Sequence, residues 1–439
     1  MPASPIREAG KPKQRAPRAS AKDGRLDAYA FTDATVVTPR KIRGSASLLV
    51  EGGRVTGFGL GARREVRVGA EAFVYPALIN VHDHLRGNYL PRVGPPEGRF
   101  YENWSPWDSD LKASPVYAER AGLSVGQMYL LGGYKNLFSG VGTVNDHFPH
   151  ELNDPYLPSL PVRAMREYCL AHECSSFDLK WGDGIEIEHA RAVERDWPFI
   201  THLEEGFDPE SMDGVGILDR ARALDERDLL VHCIGFSEDD IKKVKRAGAS
   251  VAWCPASNYF MFNLTCKVRK LLRAGVNVAL GTDSTHTGSV NLLAEMKFAR
   301  RVYREMYGEE LPAKTLFEMV TVNAARALRL EDRAGKLEPG AWADAAVFKA
   351  RSEDPYENLA AARCEDLELL TIEGVPVYGD EAKYAQAFEG IAGPEIAGYG
   401  RVTVAGRTMF VRGDPQGLYR GIRAAVGFPK RLDYLPFEM

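Results

Sequence analysis

No apolar run in this 439-residue chain reaches the length needed to cross a bilayer. The amino-terminal segment lacks the apolar stretch of a secretion signal, so a cytoplasmic location and no membrane partner are expected. Cysteine is sparse: Cys169, Cys174, Cys233, Cys254, Cys266 and Cys364 form no C-x-x-C pair. Six thiols so scattered read as reduced, mostly buried side chains rather than a disulfide scaffold. Charge of either sign is not in excess. The net value of −4 argues against nucleic acid as a partner. No internal repeat of fixed period is evident, which excludes a solenoid.

The charge that is present is uneven. Residues 1–25 carry seven bases and two acids, a net of +5, with almost no large apolar residues. Such a tail cannot bury a core, and disorder is expected there. From 26 to 75 the signals are short strands broken by glycines, including Ala34 to Thr38, Ala46 to Val50 and Arg54 to Phe58. Gly57 to Ala62 fits a loose dinucleotide glycine pattern. That pattern needs a helix next, whereas Arg63 to Val68 reads as strand or loop, so a β-turn is the better reading.

The organising stretch follows: Ile79-Asn80-Val81-His82-Asp83-His84. It closes an apolar run of strand length. Strand side chains alternate faces, so His82 and His84 point the same way and can share a metal ion. Beyond it lie a loop rich in aromatics (Tyr89, Phe100, Tyr101, Trp104, Trp107) and a helix pattern from Tyr117 to Phe138. Strand-like runs then recur at Gly140 to His147, Val162 to Tyr168, Ser175 to Trp181, Pro198 to Leu203, Leu229 to Cys233, Ser250 to Cys254 and Asn277 to Asp283. With the histidine strand these make eight, alternating with helical patterns. The expected class is α/β, a (β/α)8 TIM-type barrel over 76–333. Short strands return over 334–439, ending in a helix near Gln416 to Val426. The two flanking segments, 26–75 and 334–439, are expected to pair as one small composite β domain built from both chain ends.

In such a barrel the carboxyl ends of the strands share one rim, where the chemistry is done. Four separated strands end there in His or Asp: His82 and His84, His202, His232, and Asp283. Imidazole and carboxylate ligands around a divalent ion with one open position lower the pKa of bound water. His82, His84, His202 and Asp283 supply that shell, and Asp283 can also take a proton from the water. A glutamate just past His202 can carry the proton onward. Strict alternation aims Glu204 inward, but a chain turning before Gly206 would present Glu205 instead. His232 is placed to polarise the group attacked.

At these residues the chain resembles the amidohydrolase superfamily, in the branch of cytosine, guanine and S-adenosylhomocysteine deaminases and triazine chlorohydrolases. The motifs are Ala77 to His84, His202-Leu-Glu-Glu205, Cys254-Pro-Ala-Ser-Asn258, Leu280 to Ser284, and Gly335 to Asp344, within a match over about 30–380. The resemblance implies one zinc or iron ion, zinc before iron, on His82, His84, His202 and Asp283. It selects Glu205 as the proton shuttle and makes His232 catalytic or a further ligand. Ala77 and Trp253 depart from the family's usual Gly and His. The span from His147 to His202 is compressed, and the Phe100 to Trp107 loop differs from that of the deaminases. Lys180 raises a two-metal rival, in which a carboxylated lysine bridges the ions.

The implied activity is hydrolysis of a C–N bond in a small cyclic or heteroaromatic molecule, a deamination by metal-bound hydroxide. Chlorohydrolase or cyclic-amide hydrolysis at the same site is the alternative, and a catalytically silent binding relative is the reading from another class. Trp104, His147, Asn258 and His286 are the expected substrate contacts, with mostly neutral recognition of a planar ring. A homodimer would suit the family. Deleting residues 1–25 is expected to leave the melting temperature unchanged, as thermal denaturation of the two chains will test.

Overall fold

The computed structural model describes residues 28–437 except 60, 61, 63 and 390–395, so the basic tail at 1–25 lies outside the described residues. The first strands are β1 (Tyr29–Val37), β2 (Ile42–Glu51), β3 (Arg54–Phe58), β4 (Glu65–Arg67) and β5 (Ala72–Pro76). Gly52 and Gly53, both with φ in the left-handed region, make the tight turn between β2 and β3. The strand β4 follows the glycine-rich stretch, and the β-turn expected at 57–62 falls partly on residues 60 and 61, outside the described residues.

Eight strands then alternate with helices: β6 (Leu78–Asp83), β7 (Val141–Asp146), β8 (Arg163–Ala164), β9 (Cys169–Glu173), β10 (Phe199–Leu203), β11 (Asp228–His232), β12 (Ser250–Trp253) and β13 (Asn277–Leu280). Every pairing among them is parallel. They form two sheets, β6-β7-β8 and β13-β12-β11-β10-β9, rather than one continuously bonded barrel. At one seam backbone bonds bridge the gap: the Thr282 and Asp283 amides donate to the His82 carbonyl at 3.0 and 3.1 Å. Ile79, Val81, Leu170, Ile200, Leu229, Val231, Ala252 and Ala279, from six of these strands, pack in one buried cluster with Ala324, Ala325 and Leu328. Each large aliphatic side chain so buried stabilises the fold by roughly 1.5–3 kcal/mol.

The chain closes with β14 (Ala345–Lys349), β15 (Leu367–Ile372), β16 (Val375–Asp380), β17 (Gly400–Val404), β18 (Arg407–Val411) and a helix, Pro415–Val426. Strands from both ends of the described chain share one ten-stranded sheet, ordered β17-β18-β16-β15-β14-β5-β1-β2-β3 with β4 on β1. The join is the antiparallel pairing of β5 with β14, Ala72 to Pro76 against Lys349 to Ala345.

Three local expectations need correction. The fourth barrel strand is Cys169–Glu173, wholly buried, and not Ser175 to Trp181, which is loop. Phe177, Leu179 and Trp181 alternate like a strand face, but the backbone is loop there, and Lys180 sits at φ +60°. The third strand is only two residues long, which is how the compressed span between His147 and His202 is accommodated. The helix expected from Tyr117 to Phe138 is two, Pro115–Arg120 and Val125–Leu137. Ser124 and Gln127 form a reciprocal capping box that starts the second helix afresh.

That second helix buries a lysine. Lys135 is fully enclosed, and its Nζ lies 3.2 Å from Asp83 Oδ1 and 2.9 Å from Asn88 Oδ1, Thr282 Oγ1 and the Asp283 carbonyl. Asn136 and Asn88 also donate to Asp83, at 2.8 and 2.9 Å. Asn80 bonds Thr282 through both ends of its amide. Removing one partner of a buried pair strands the other's charge. Lys135→Met is therefore expected to cost about 3–5 kcal/mol of stability in denaturant unfolding. Adding Asp83→Asn to that variant is expected to restore part of the loss, a coupling that a double-mutant cycle reads directly.

Candidate active site and metal centre

The carboxyl ends of β6, β10 and β11 and the turn after β13 converge on a cavity of about 290 Å³. His84, His202, Glu205, His232 and Asp283 line it, with Trp104, Trp107, Phe148, His172 and Trp181 among its other walls. His82 is fully buried behind them, its ring centroid 4.9 Å from that of His84 and 5.1 Å from that of His202.

Backbone strain marks the rim. Glu204, His232 and Asp283 have φ of +51°, +72° and +53°, a region that costs a non-glycine residue of order 1–3 kcal/mol. At Glu204 this reversal ends the alternation of β10. Glu204 turns away, its Oε1 accepting from the Val215 amide at 3.1 Å. Glu205 turns in, its Oε1 lying 3.4 Å from His232 Nε2. Strand periodicity fails at this residue because the strand has already ended.

The donor set fits a divalent ion. The Nδ1 atoms of His84 and His202 face the carbonyls of His147 and His172 at 3.1 and 2.8 Å, which leaves both Nε2 lone pairs free. Both ring nitrogens of buried His82 lack a hydrogen-bond partner. Asp283 Oδ2 accepts from Ser257 and Thr287 at 2.7 and 3.0 Å, while Oδ1 stands 3.7 Å from His84 Nε2. That separation suits two ligands of one ion at about 2.1 Å each. Ligand atoms of His82, His84 and Asp283 lie within 4.8 Å of one another, as do those of His202, Glu205 and His232.

Electrostatics agree. Burial, with neighbouring imidazoles, drives His82 and His202 well below their usual range, so both are neutral donors. Burial works to raise Asp283, but His84 and His232 beside it hold it below the ordinary carboxylate range. Burial first, then Asp283, pushes Glu205 well above its usual range. Burial lowers His232, and its Nδ1 meets Asn258 Oδ1 at 2.7 Å. With that nitrogen donating, the neutral His232 ring presents a lone pair at Nε2, suited to taking a proton or a metal ion.

Trp104 lines the cavity and donates its indole N–H to Glu173. His286 lines it too, its Nε2 2.9 Å from Arg120 Nη1. His147 and Asn258 are not lining residues. His147 packs against His202 at 4.4 Å between ring centroids, and Asn258 orients His232. Lys180 has an exposed side chain paired with Asp178 at 3.3 Å and lies outside the cluster, so it gives the two-metal rival no support. Sequence reasoning missed His172, Trp181, Arg86 and Arg120. His172 and Trp181 sit in the span whose strand was misplaced, Arg86 sits in the turn just after the histidine strand, and Arg120 ends the helix Pro115–Arg120.

Residues 187–377 match the profile of the amidohydrolase family. It is 33% identical over 170 residues to the 5-methylthioadenosine/S-adenosylhomocysteine deaminase of Pyrococcus abyssi, covering 36% of this chain and 40% of that one. A protein of the same name from Syntrophobacter fumaroxidans is 27% identical over 378 residues, covering 73% of this chain and 83% of its own. The chain spans about two fifths of the length of the first curated relatives it matches. In fold it resembles an adenosine deaminase from Xanthomonas campestris with bound zinc: TM-score 0.70, 18% identity, 91% of this chain and 98% of that one.

Gly281 keeps the centre in register. A Cβ there would fall 2.6 Å from the His82 Cβ. Gly281→Ala is expected to displace His82 and cut retained divalent metal at least by about half, read by elemental analysis beside a circular-dichroism check of folding.

Proposed function

We propose that this protein is a metal-dependent aminohydrolase that cleaves a C–N bond of a small cyclic or heteroaromatic molecule. The observation that carries the reading is the convergence of His84, His202, Asp283, Glu205 and His232 on one cavity with His82 packed directly behind them, the imidazole lone pairs left free. His82, His84, His202 and Asp283 would hold a single divalent ion, zinc before iron. When bound, such an ion supplies Lewis acidity and a water of lowered pKa.

The chain's own residues do the rest. Burial holds the Glu205 carboxyl at high proton affinity, which suits it to accept a proton at Oε1 and return it to the leaving nitrogen. His232 Nε2 shares that proton's path at 3.4 Å from Glu205. Asn258 fixes the tautomer and aim of His232. Trp104, Trp107 and Trp181 exclude water and offer flat apolar walls to a ring.

The same reading treats the eight parallel strands at 76–333 as one functional barrel. It assigns 26–75 and 334–439 to a β domain beside it, and 1–25 to a basic tail. It expects a cytoplasmic homodimer.

The test pairs elemental analysis with an ammonia-release screen over purines, pyrimidines, pterins and triazines, chloride release being followed for chlorinated triazines. One equivalent of metal and release of ammonia are expected. Two equivalents would revive a binuclear centre, and chloride in place of ammonia would make the site a chlorohydrolase. Glu205→Gln is expected to lower turnover by at least about a hundredfold with metal content unchanged. Glu204→Gln, whose side chain points at Val215, is expected to act on stability and leave turnover within about threefold.

A further inference from the structure

The cavity has a second chemical character away from its histidines. Three cations line it: Arg86, Lys112 and Arg120. Lys112 is neutralised by Asp108 at 2.6 Å. Among the described residues, neither Arg86 nor Arg120 has a carboxylate within ion-pair distance. Arg86 lies over the Phe148 ring at 5.4 Å and Arg120 over the Tyr117 ring at 4.7 Å. The other lining carboxylates, Glu205 and Asp283, belong to the histidine cluster.

His286 sharpens the point. Arg120 Nη1 donates to His286 Nε2, so the imidazole proton is on Nδ1. That Nδ1 is buried and has no partner. Burial, with the Arg120 charge beside it, pulls the ring down to about 3, so it stays a neutral donor. Burial also weighs on the Arg120 guanidinium, and the Arg86 charge adds to that. Two partly buried like charges and an unsatisfied N–H are costly until an anion meets them. Guanidinium forks suit a carboxylate or phosphate in particular.

We propose that the site takes a planar ring bearing one anionic substituent, a carboxylate or a phosphate, seated on Arg86, Arg120 and His286. The substituent holds the far end of the ring, so that the reacting carbon faces His84, His202 and Asp283. This revises the expectation of neutral recognition. It rests on the aminohydrolase reading for the reaction at the other end.

Isothermal titration of the metal-loaded full chain with benzoate, phenyl phosphate and benzamide tests it. At least one anionic probe is expected to bind about tenfold or more tighter than neutral benzamide, and the tighter of the two tells carboxylate from phosphate. The double variant Arg86→Gln/Arg120→Gln is expected to bring all three probes within about threefold, its melting temperature reporting that it folds. Should the double variant not fold, each single variant must narrow the preference by at least about threefold. Equal binding of benzamide, no anion binding at millimolar concentration, or a preference that survives the substitutions would overturn the proposal. The two readings fail separately. Anion preference without ammonia release defeats the hydrolase reading alone, while ammonia from neutral rings without anion preference defeats this one alone.

Discussion

A single buried ammonium holds the site together. Lys135 reaches from the helix Val125–Leu137 to Asp83, between His82 and His84 at the end of β6, and to the carbonyl of Asp283, across the proposed metal set. The seam it spans is the one that β6 and β13 leave without a strand ladder. There the Thr282 and Asp283 amides on the His82 carbonyl, together with Lys135 and Asn80, do what a ladder does elsewhere. A charge with no water is tolerable only when its partners are complete. Lys135 has them, and the arrangement it enforces sets the distance between His84 and Asp283.

This constraint explains why strain is affordable at the rim. Glu204, His232 and Asp283 hold left-handed conformations that a free chain would abandon. Each is followed or preceded by backbone bonds across strands: the Cys233 amide to the Leu203 carbonyl, the Ile234 amide to the Glu204 carbonyl, and the Asp283 amide to the His82 carbonyl. Two of the strained residues, His232 and Asp283, carry reactive groups, and the third, Glu204, turns Glu205 inward. Extended backbone would aim Glu204 at the cavity and away from the Val215 amide that it now accepts from.

The proposed metal set could be named from the sequence because each of its members lies at the end of a strand-like run. His82 and His84 share a strand face, and His202 and Asp283 each close a strand-like run. Glu205 was legible only through the family pattern, since alternation named its neighbour. Lys135 was not legible. Gly-Tyr-Lys-Asn-Leu on a helix reads as an ordinary exposed lysine, and only the closeness in space of residues 52 and 148 positions away makes it a core residue. The fourth strand was misplaced for a related reason. Ser175 to Trp181 has aromatics at strand-like spacing, yet its backbone is loop because Cys169 to Glu173 already fills the place beside β10. The misplacement hid His172, which orders His202 through its carbonyl and faces the cavity with its ring.

The charges of the cavity divide by function once those residues are in place. At one end burial keeps the imidazoles neutral and leaves a few carboxylates, the composition a divalent ion demands. At the other end, among the described residues, no carboxylate stands within ion-pair distance of Arg86 or Arg120. A bound cation and two guanidiniums in one cavity would repel, and Asp283, on the histidine side, would offset part of that. The arginine end has no such compensation. A neutral ring would leave that imbalance in place after binding, whereas an anionic one removes it, so the same electrostatics that make the metal end work select what can enter beside it.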